Sequence, residues 1–228
     1  MLSVVIPTYG QWHHTHTLLF DIYNTMPKDT EVIVIDDCSN DKLVAGGLDW
    51  WKTSMLAGRM KVITNQENLG FLRSCNHGVS EASNEFVILM NNDVRLRDMG
   101  VASKIQFMFD NTKEPVLGGI NVYRHDTGWN NLNGKIYPYV GGWFLAFRKS
   151  EWEKFGGFDL RYIPYDFEDV DISTTYLQNG GKLVELQVDA EHIGGQSYTF
   201  SPEREEQTKK NQRKFEEKWQ HIKKSKSE

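Results

Sequence analysis

A doubly wound α/β fold, with a mostly parallel sheet between layers of helices, is what the first hundred residues of this sequence predict. Two observations carry that expectation. Short runs such as LSVVI (2–6), EVIVID (31–36) and FVILM (86–90) are apolar nearly throughout, the pattern of strands buried on both faces. Longer stretches with helical periodicity lie between them, so strand and helix alternate as successive βαβ units require.

The elements follow in order. A strand over Leu2–Ile6 ends at Pro7, and a helix runs from about Gln11 to Met26. Then come a strand at Glu31–Asp36, a helix around Asp41–Leu56, a strand at Met60–Thr64, a helix at Gly70–Ala82 and the strand Phe86–Met90. Beyond Asp98 the alternation weakens to a helix near Ser103–Phe109 and a strand near Val116–Val122. The polar, aromatic stretch HDTGWNNLNGKIYPY (125–139) suits a hairpin or a mobile loop, YVGGWFLAF (139–147) a strand, and Lys149–Phe155 a short helix. The loop GGFDLRYIPYDF (156–167) precedes a helix at about Glu168–Asn179, stopped by Gly180-Gly181. Lys182–Leu186 is the last strand, and Ser201-Pro202 opens a final helix whose Phe215, Trp219 and Ile222 share one face.

Composition narrows the function. The 228 residues carry a net charge of −5, which argues against a general nucleic-acid binder, since such binding rests on neutralising phosphates. Two cysteines cannot build a disulfide framework and fit a reducing compartment. No apolar run approaches the ~18 residues that span a bilayer, and no signal peptide precedes the first strand, so a cytoplasmic protein is expected. From Ser201 onward nine basic residues face six acidic ones. The plain reading is a tail helix packing its apolar stripe on the core. The alternative is peripheral membrane contact, with Lys209, Lys210, Lys214, Lys218, Lys223 and Lys224 meeting anionic lipid.

Ligands of an open parallel sheet bind beyond the carboxyl ends of its strands, so the residues closing the strands are the candidates for a site. They are Pro7-Thr8-Tyr9, Asp36-Asp37, Asn65 with Asn68, and Asn91-Asn92-Asp93. Each group alone suits a turn; their convergence on one edge points to a ligand. No G-x-G-x-x-G follows the first strand and no G-x-x-x-x-G-K-[ST] occurs, which argues against a dinucleotide oxidoreductase and a P-loop enzyme. Phosphate would instead be neutralised by a divalent metal held on carboxylate oxygen. Further along, Asp166, Glu168, Asp169 and Asp171 crowd four carboxylates into six residues, more than a helix start requires. His13-His14-x-His16 has no Cys or acid ligand beside it and reads as a solvated helix face. Cys38 and Cys75 read as small buried residues, not nucleophiles.

Six segments, SVVIPTYG (3–10), VIVIDDCSND (32–41), NQENLGFLRSCNHGV (65–79), FVILMNNDV (86–94), GGFDLRYIPYDFEDVDIS (156–173) and EHIGGQS (191–197), follow one another in order. In that order they resemble the inverting GT-A glycosyltransferases of family 2, above all the rhamnosyltransferase-like branch. The resemblance implies a GT-A fold, with a small antiparallel acceptor-side portion and a C-terminal helix added to the doubly wound sheet. Residues 1–200 would form one domain, nucleotide-binding to about residue 98 and acceptor-binding beyond, with 201–228 a basic amphipathic helix of that domain.

The same resemblance implies roles. Pro7, Thr8, Tyr9 and Asp37 would surround the nucleotide base, and Asn68, Gly70, Asn76 and Asn92 the rest of the donor, with Arg73 adding a phosphate contact. Asp93 matches the last acid of a D-x-D motif that holds Mn²⁺ or Mg²⁺ on the donor diphosphate, and His192 a histidine completing that site. Asn91 stands where the motif usually opens with Asp; its amide can ligate but brings no charge. Glu168-Asp169 match an acidic pair whose second member is the usual catalytic base. Gly142, Trp143 and Asp166, with the aromatic segment Trp129–Tyr139, are expected at the acceptor.

The implied activity is transfer of a sugar from a UDP- or dTDP-sugar to a hydroxyl of a glycan or lipid-linked acceptor. A sugar-1-phosphate nucleotidyltransferase shares the α/β fold, but its glycine-rich basic loop is replaced here by Pro7–Gln11. A degenerate nucleotide-sugar or glycan-binding module is the third reading, and retention of Asp93 with Glu168-Asp169 speaks against it.

Overall fold

The computed structural model describes residues 1–128, 130–132, 134–194 and 201–220. Trp129, the Gly195-Gln196-Ser197 end of the EHIGGQS segment, and Ile222, Lys223 and Lys224 lie outside them, and so do the readings placed there.

The first half alternates as expected: β1 (Leu2–Thr8), α1 (Trp12–Thr25), β2 (Glu31–Asp36), α2 (Lys42–Trp50) with a π-helical turn at Trp51–Met55, β3 (Met60–Thr64), α3 (Phe71–Ser80) and β4 (Phe86–Met90). Then follow β5 (Val94–Leu96), α4 (Val101–Asp110), β6 (Val116–Gly119) and four two-residue strands: β7 (Val122–Tyr123), β8 (Asn131–Leu132), β9 (Lys135–Ile136) and β10 (Tyr139–Val140). The chain continues with β11 (Phe144–Arg148), α5 (Lys149–Phe155), a 3₁₀ turn at Leu160–Tyr162, α6 (Glu168–Gln178), β12 (Lys182–Glu185), β13 (Ala190–His192) and α7 (Pro202–Trp219). Seven strands form the central sheet in the order β12-β6-β11-β4-β1-β2-β3, all parallel except β11, which runs antiparallel to both β4 and β6.

Both faces of this sheet are covered, which is why its central strands β1, β2 and β4 are apolar nearly throughout. Val4, Ile6, Val32 and Val34 pack with Leu18, Ile22 and Leu48 on one side, while Val5, Ile33 and Ile35 pack with Leu72, Cys75 and Val79 on the other. Each buried Val or Ile contributes about 1.5–3 kcal/mol, and a one-residue slip would exchange the two sets, so register is firmly specified. Gly78 lets α3 approach closely: a Cβ there would sit 2.4 Å from Val5 Cγ1 and 2.9 Å from Ile35 Cγ1.

Several elements differ from the sequence reading for identifiable reasons. The first strand runs through Pro7 to Thr8, because pairing with β4 stops at Val5 and leaves Pro7 bordered only by β2. YVGGWFLAF is two strands, β10 paired with β7 and β11 in the main sheet, broken at Gly141-Gly142-Trp143. The short strands β5 and β13, absent from the sequence reading, pair antiparallel with His192 opposite Val94. Asp21 of α1 anchors β5 by accepting from the Leu96 amide (3.0 Å) and the Arg95 guanidinium (2.8 Å). His14 is buried and His16 accepts from Trp51 Nε1 at 3.0 Å, so the histidine cluster is not the wholly solvated face expected.

Helix α7 packs its apolar stripe on the body, with Phe215 and Trp219 buried and Phe215 against Phe167 and Tyr137. Of the lysines considered for lipid, Lys209 and Lys210 pair with Glu205 and Glu206. Lys214 and Lys218 bond into the loop 159–171. Among the described residues no helix is long and apolar enough to cross a membrane.

Candidate active site

The carboxyl ends of the parallel strands open into a cavity lined from both halves of the chain, by Tyr9, Asp37, Asn68, Asn91, Asp93, Glu168 and His192 among others. Its donor-side wall is wired together by its own hydrogen bonds. Asp37, buried at the end of β2, accepts from the Leu69 amide, the Gly70 amide and Asn65 Nδ2, each at 2.8 Å. Asn68 Oδ1 accepts from the Gly70 amide as well (3.0 Å), and Gly70 takes a φ of +85°, a conformation for which the missing side chain is an advantage. Asn92 Nδ2 donates to Thr8 (3.2 Å) and Thr15 (3.1 Å), tying the ends of β4 and β1 to α1. Pro7 borders the cavity beside Tyr9, which is 58% exposed and offers a free aromatic face.

At the end of β4 the antiparallel β5–β13 pair brings together residues ninety-nine apart. His192 Nε2 lies 3.1 Å from Asp93 Oδ1 and 3.4 Å from Asn91 Nδ2, and the Ile193 amide donates to the Asp93 carbonyl (3.1 Å). Trp143 stacks flat on the His192 ring, 5.2 Å between centroids and 7° between planes, and the Trp143 carbonyl accepts from the Asn91 amide. Burial, the largest single influence, opposes the Asp93 charge, but the hydrogen bond and charge of His192, with a backbone hydrogen bond and the His14 charge, together hold the carboxyl below its usual range. One carboxylate, one imidazole and one neutral amide therefore face the cavity together. Among the described residues no three His, Cys, Asp or Glu side chains form a metal cluster. A carboxylate, an imidazole and an amide are all groups able to ligate a divalent ion, so the residues present fit one.

The opposite wall is the start of α6. Asp166 and Phe167 both take positive φ, 70° and 76°, at a cost of about 1–3 kcal/mol each for non-glycine residues. This turn swings Glu168 and Asp169 toward the cavity mouth. Asp169 Oδ1 accepts from the Val170 amide (2.8 Å) and Oδ2 from the Gly142 amide (3.2 Å). At Gly142 the fit is close: a Cβ would lie 3.2 Å from that of Asp169, so a side chain there would press on the acid. Glu168 Oε2 is sealed from solvent with no hydrogen-bond partner among the described residues. Burial, and then the adjacent Asp169 charge, drive the Glu168 carboxyl well up from its ordinary range; burial drives Asp169 up as well, against its two amide hydrogen bonds. A second cavity adjoins here, walled by Tyr139, Asp166, Glu168, Asp169 and Arg204. The Tyr139 hydroxyl is pushed up to about 12 by burial and by the Asp169 charge.

Two expected donor residues do not join the site. Arg73 is exposed, donates to the Leu69 carbonyl and is not among the lining residues; Asn76 spends its amide on both backbone groups of Phe158 (2.8 and 2.9 Å), joining α3 to the loop before α6. The cation that does border both cavities is Arg204 of α7, paired with Asp166 at 3.0 Å and lying over the Tyr165 ring. No local motif surrounds Arg204; its only sequence signal is its place one turn into a helix that packs on the core.

Residues 3–169, most of the chain, match the model of the family described as glycosyl transferase family 2. The chain belongs to glycosyl transferase family 2. Among curated relatives, this family 2 chain is 24% identical over 142 residues to the glycosyltransferase GlyG of Streptococcus pneumoniae serotype 4, covering 62% of the chain and 44% of that protein. It spans less than half the length of the curated relatives it matches. Among solved structures it is similar to the mannosyltransferase PcManGT of Pyrobaculum calidifontis in complex with GDP-Man and Mn²⁺ (19% identity, TM-score 0.68, 86% of this chain and 58% of that one). It is also similar to S. aureus TarS 1–349 in complex with UDP-GlcNAc (20% identity, TM-score 0.64, 94% and 66%). At these identities the structures establish a shared GT-A fold, and the family 2 chain has the mixed sheet flanked by helices that this fold requires.

Proposed function

We propose that this chain transfers a sugar, with inversion, from a UDP- or dTDP-linked donor to a hydroxyl of a glycan or lipid-linked acceptor. The observation that carries the reading is that Asp93, His192 and Glu168 line one cavity, and Glu168 with Asp169 the cavity adjoining it, although they come from three separate places in the chain: the turn after β4, β13 and the start of α6. Tyr9 offers a face on which the base stacks, and the wired Asp37–Asn68–Gly70 turn shapes its edge. Asp93 and His192, with Asn91, would hold Mn²⁺ or Mg²⁺, which neutralises the charge of the departing nucleoside diphosphate.

Asp169 takes the proton from the acceptor hydroxyl as that oxygen attacks the anomeric carbon. Its raised pKa suits the task, because a base titrating nearer neutrality accepts a proton more readily than an ordinary carboxylate. Glu168 beside it holds a proton or a negative charge according to the state of its partner. The acceptor enters by the second cavity against Tyr139 and Asp166; Gly142 and Trp143, expected at the acceptor, line neither cavity, and Gly142 instead holds Asp169 through its amide. Holding the two substrates in line supplies the largest entropic gain open to the site.

A thermal-shift and nucleotide-release screen of UDP-glucose, UDP-N-acetylglucosamine, GDP-mannose and dTDP-rhamnose with Mn²⁺ tests the reading. The true donor should raise the midpoint by mass action and release nucleotide. Stabilisation by every nucleotide sugar without any release would instead mark a binding module. In the Asp93→Ala variant, Mn²⁺ should no longer strengthen donor binding, and an undiminished Mn²⁺ effect would refute the metal role of Asp93.

A further inference from the structure

Helix α7 reaches the acid pair through one fully buried polar residue. Asn211 is 0% exposed, and its amide nitrogen donates to three carbonyls of a single loop: Tyr162 (2.6 Å), Tyr165 (2.6 Å) and Asp166 (3.2 Å). Its Oδ1 accepts from Gln207 Nε2 (3.1 Å) and Lys214 Nζ (2.9 Å), so the amide is oriented from both ends. One turn earlier on the same face, the Thr208 hydroxyl lies 2.5 Å from Asp166 Oδ2, while Arg204 holds Oδ1. Backbone and side chain of Asp166 are thus gripped from α7, at the residue where the main chain enters the left-handed region. Helix α6 begins two residues later, so the direction of this turn sets where the carboxylates of Glu168 and Asp169 point.

Stability alone does not require these contacts to converge there. Helix α7 has other anchors: Phe215 in the core, and Lys218 and Trp219 on the buried Asp171 carboxylate, each at 2.7 Å. The Asn211 contacts fall instead on the one turn whose backbone is unfavourable by itself and which aims the acids. A small relaxation of that turn would swing Asp169 off the Gly142 amide and away from the acceptor cavity.

We propose that Asn211 is a positioning residue of the transfer step, its side-chain amide fixing the Asp166–Phe167 turn and through it the placement of the Asp169 carboxylate. This rests on the reading of Glu168–Asp169 as the catalytic pair. Asn211 touches neither substrate, so its loss appears in turnover and not in donor binding.

The test uses the full chain, nucleotide release from the three UDP- and dTDP-sugars above with Mn²⁺, and UDP binding by calorimetry. Asn211→Ala should lower kcat about 10–100-fold, the scale of a misplacement near 1 Å, with UDP affinity and donor KM within about twofold. Asn211→Gln keeps the amide and should recover part of the loss. Ile105→Ala, a core deletion in α4 far from the turn, serves as the control for destabilisation and should keep kcat near that of the parent. Wild-type kcat in Asn211→Ala beside an inactive Asp169→Asn overturns the proposal and leaves the acid pair standing. An active Asp169→Asn overturns the acid pair and the proposal with it. An equal fall in kcat for Ile105→Ala also overturns it, because destabilisation would then suffice. Should Asn211→Ala not fold, Thr208→Val removes the hydroxyl on Asp166 at constant shape; a fall of about 3–10-fold in kcat is expected, and an unchanged kcat overturns the proposal.

Discussion

The two walls of the cleft are built on opposite principles. On the donor side nearly every polar group has a partner within the protein: Asp37 has three donors, Asn92 bridges two threonines, and Asp93 is paired with His192. On the acid side Glu168 carries a sealed oxygen with no partner among the described residues, burial raises both carboxylates and the Asp169 charge raises Glu168 further, and the turn before them is strained. This wall is therefore held by its own contacts without a ligand, which suits the nucleotide-recognising role proposed for it. The acid wall holds charge in an unfavourable setting that a reacting hydroxyl can relieve, and it depends on contacts from another element to stay in place.

The sharpest way to break that contrast is to remove charge from the acid wall. Asp169→Asn keeps the shape and one of the two amide contacts of the α6 start, its NH2 being unable to accept the other, so it should cut turnover about 10²–10⁴-fold with donor affinity nearly unchanged. Pre-steady-state nucleotide release with parallel UDP calorimetry would show it, and a fall in affinity matching the fall in rate would mean that the walls are not separable. The next effect is on the support behind the acids. Asp171 is buried and accepts from Tyr162, Lys218 and Trp219, so Asp171→Ala should cost on the order of 3 kcal/mol in urea unfolding. A smaller effect falls on the donor wall. Asp37→Asn replaces a charged acceptor of three hydrogen bonds and should weaken UDP binding about tenfold while costing about 2 kcal/mol. An Asp37→Asn variant with full UDP affinity would show that the wired turn does not shape the base site.

The same division explains what was legible in the sequence. The parallel sheet announced itself because burial on two faces writes apolar residues into consecutive positions, as in FVILM. The residues proposed for the donor announced themselves because they close strands, where local order fixes their place. Even so, position did not reveal partners: Asn76 faces Phe158 and Arg73 faces Leu69, not the cavity. Strands β5 and β13 escaped because three residues leave no periodicity, although their pairing is what delivers His192 to Asp93. The support of the acid wall was the least legible. A polar residue in a basic helix reads as solvated, and only the spacing of Thr208, Asn211, Phe215 and Trp219, which repeats along one helical face, marked Asn211 as inward.

The smallest predicted effect is the most specific to the acid wall, and it is one of stability. Because burial and Asp169 raise the Glu168 carboxyl, the folded chain binds that proton more tightly than the unfolded chain does. Stability linked to this group is therefore fully present below the unfolded value of about 4.3 and is lost as pH rises through the folded one. Glu168→Gln cannot ionise, so the substitution should raise the melting temperature by roughly 2–4 °C at pH 8 and leave it nearly unchanged at pH 4. A donor-wall carboxylate behaves in the opposite sense: Asp93 lies below its ordinary range, so its contribution is present above that range and lost on acidification. Scanning calorimetry of Glu168→Gln across pH 4–8 and of Asp93→Asn from pH 5 down to pH 2 should show the parent losing stability relative to the first variant as pH rises and relative to the second as pH falls, and the same direction in both would erase the distinction between the walls. Opposite slopes would show that one cleft keeps its recognition face at low electrostatic cost and its reactive face at high cost, a difference set by which carboxylate has a partner.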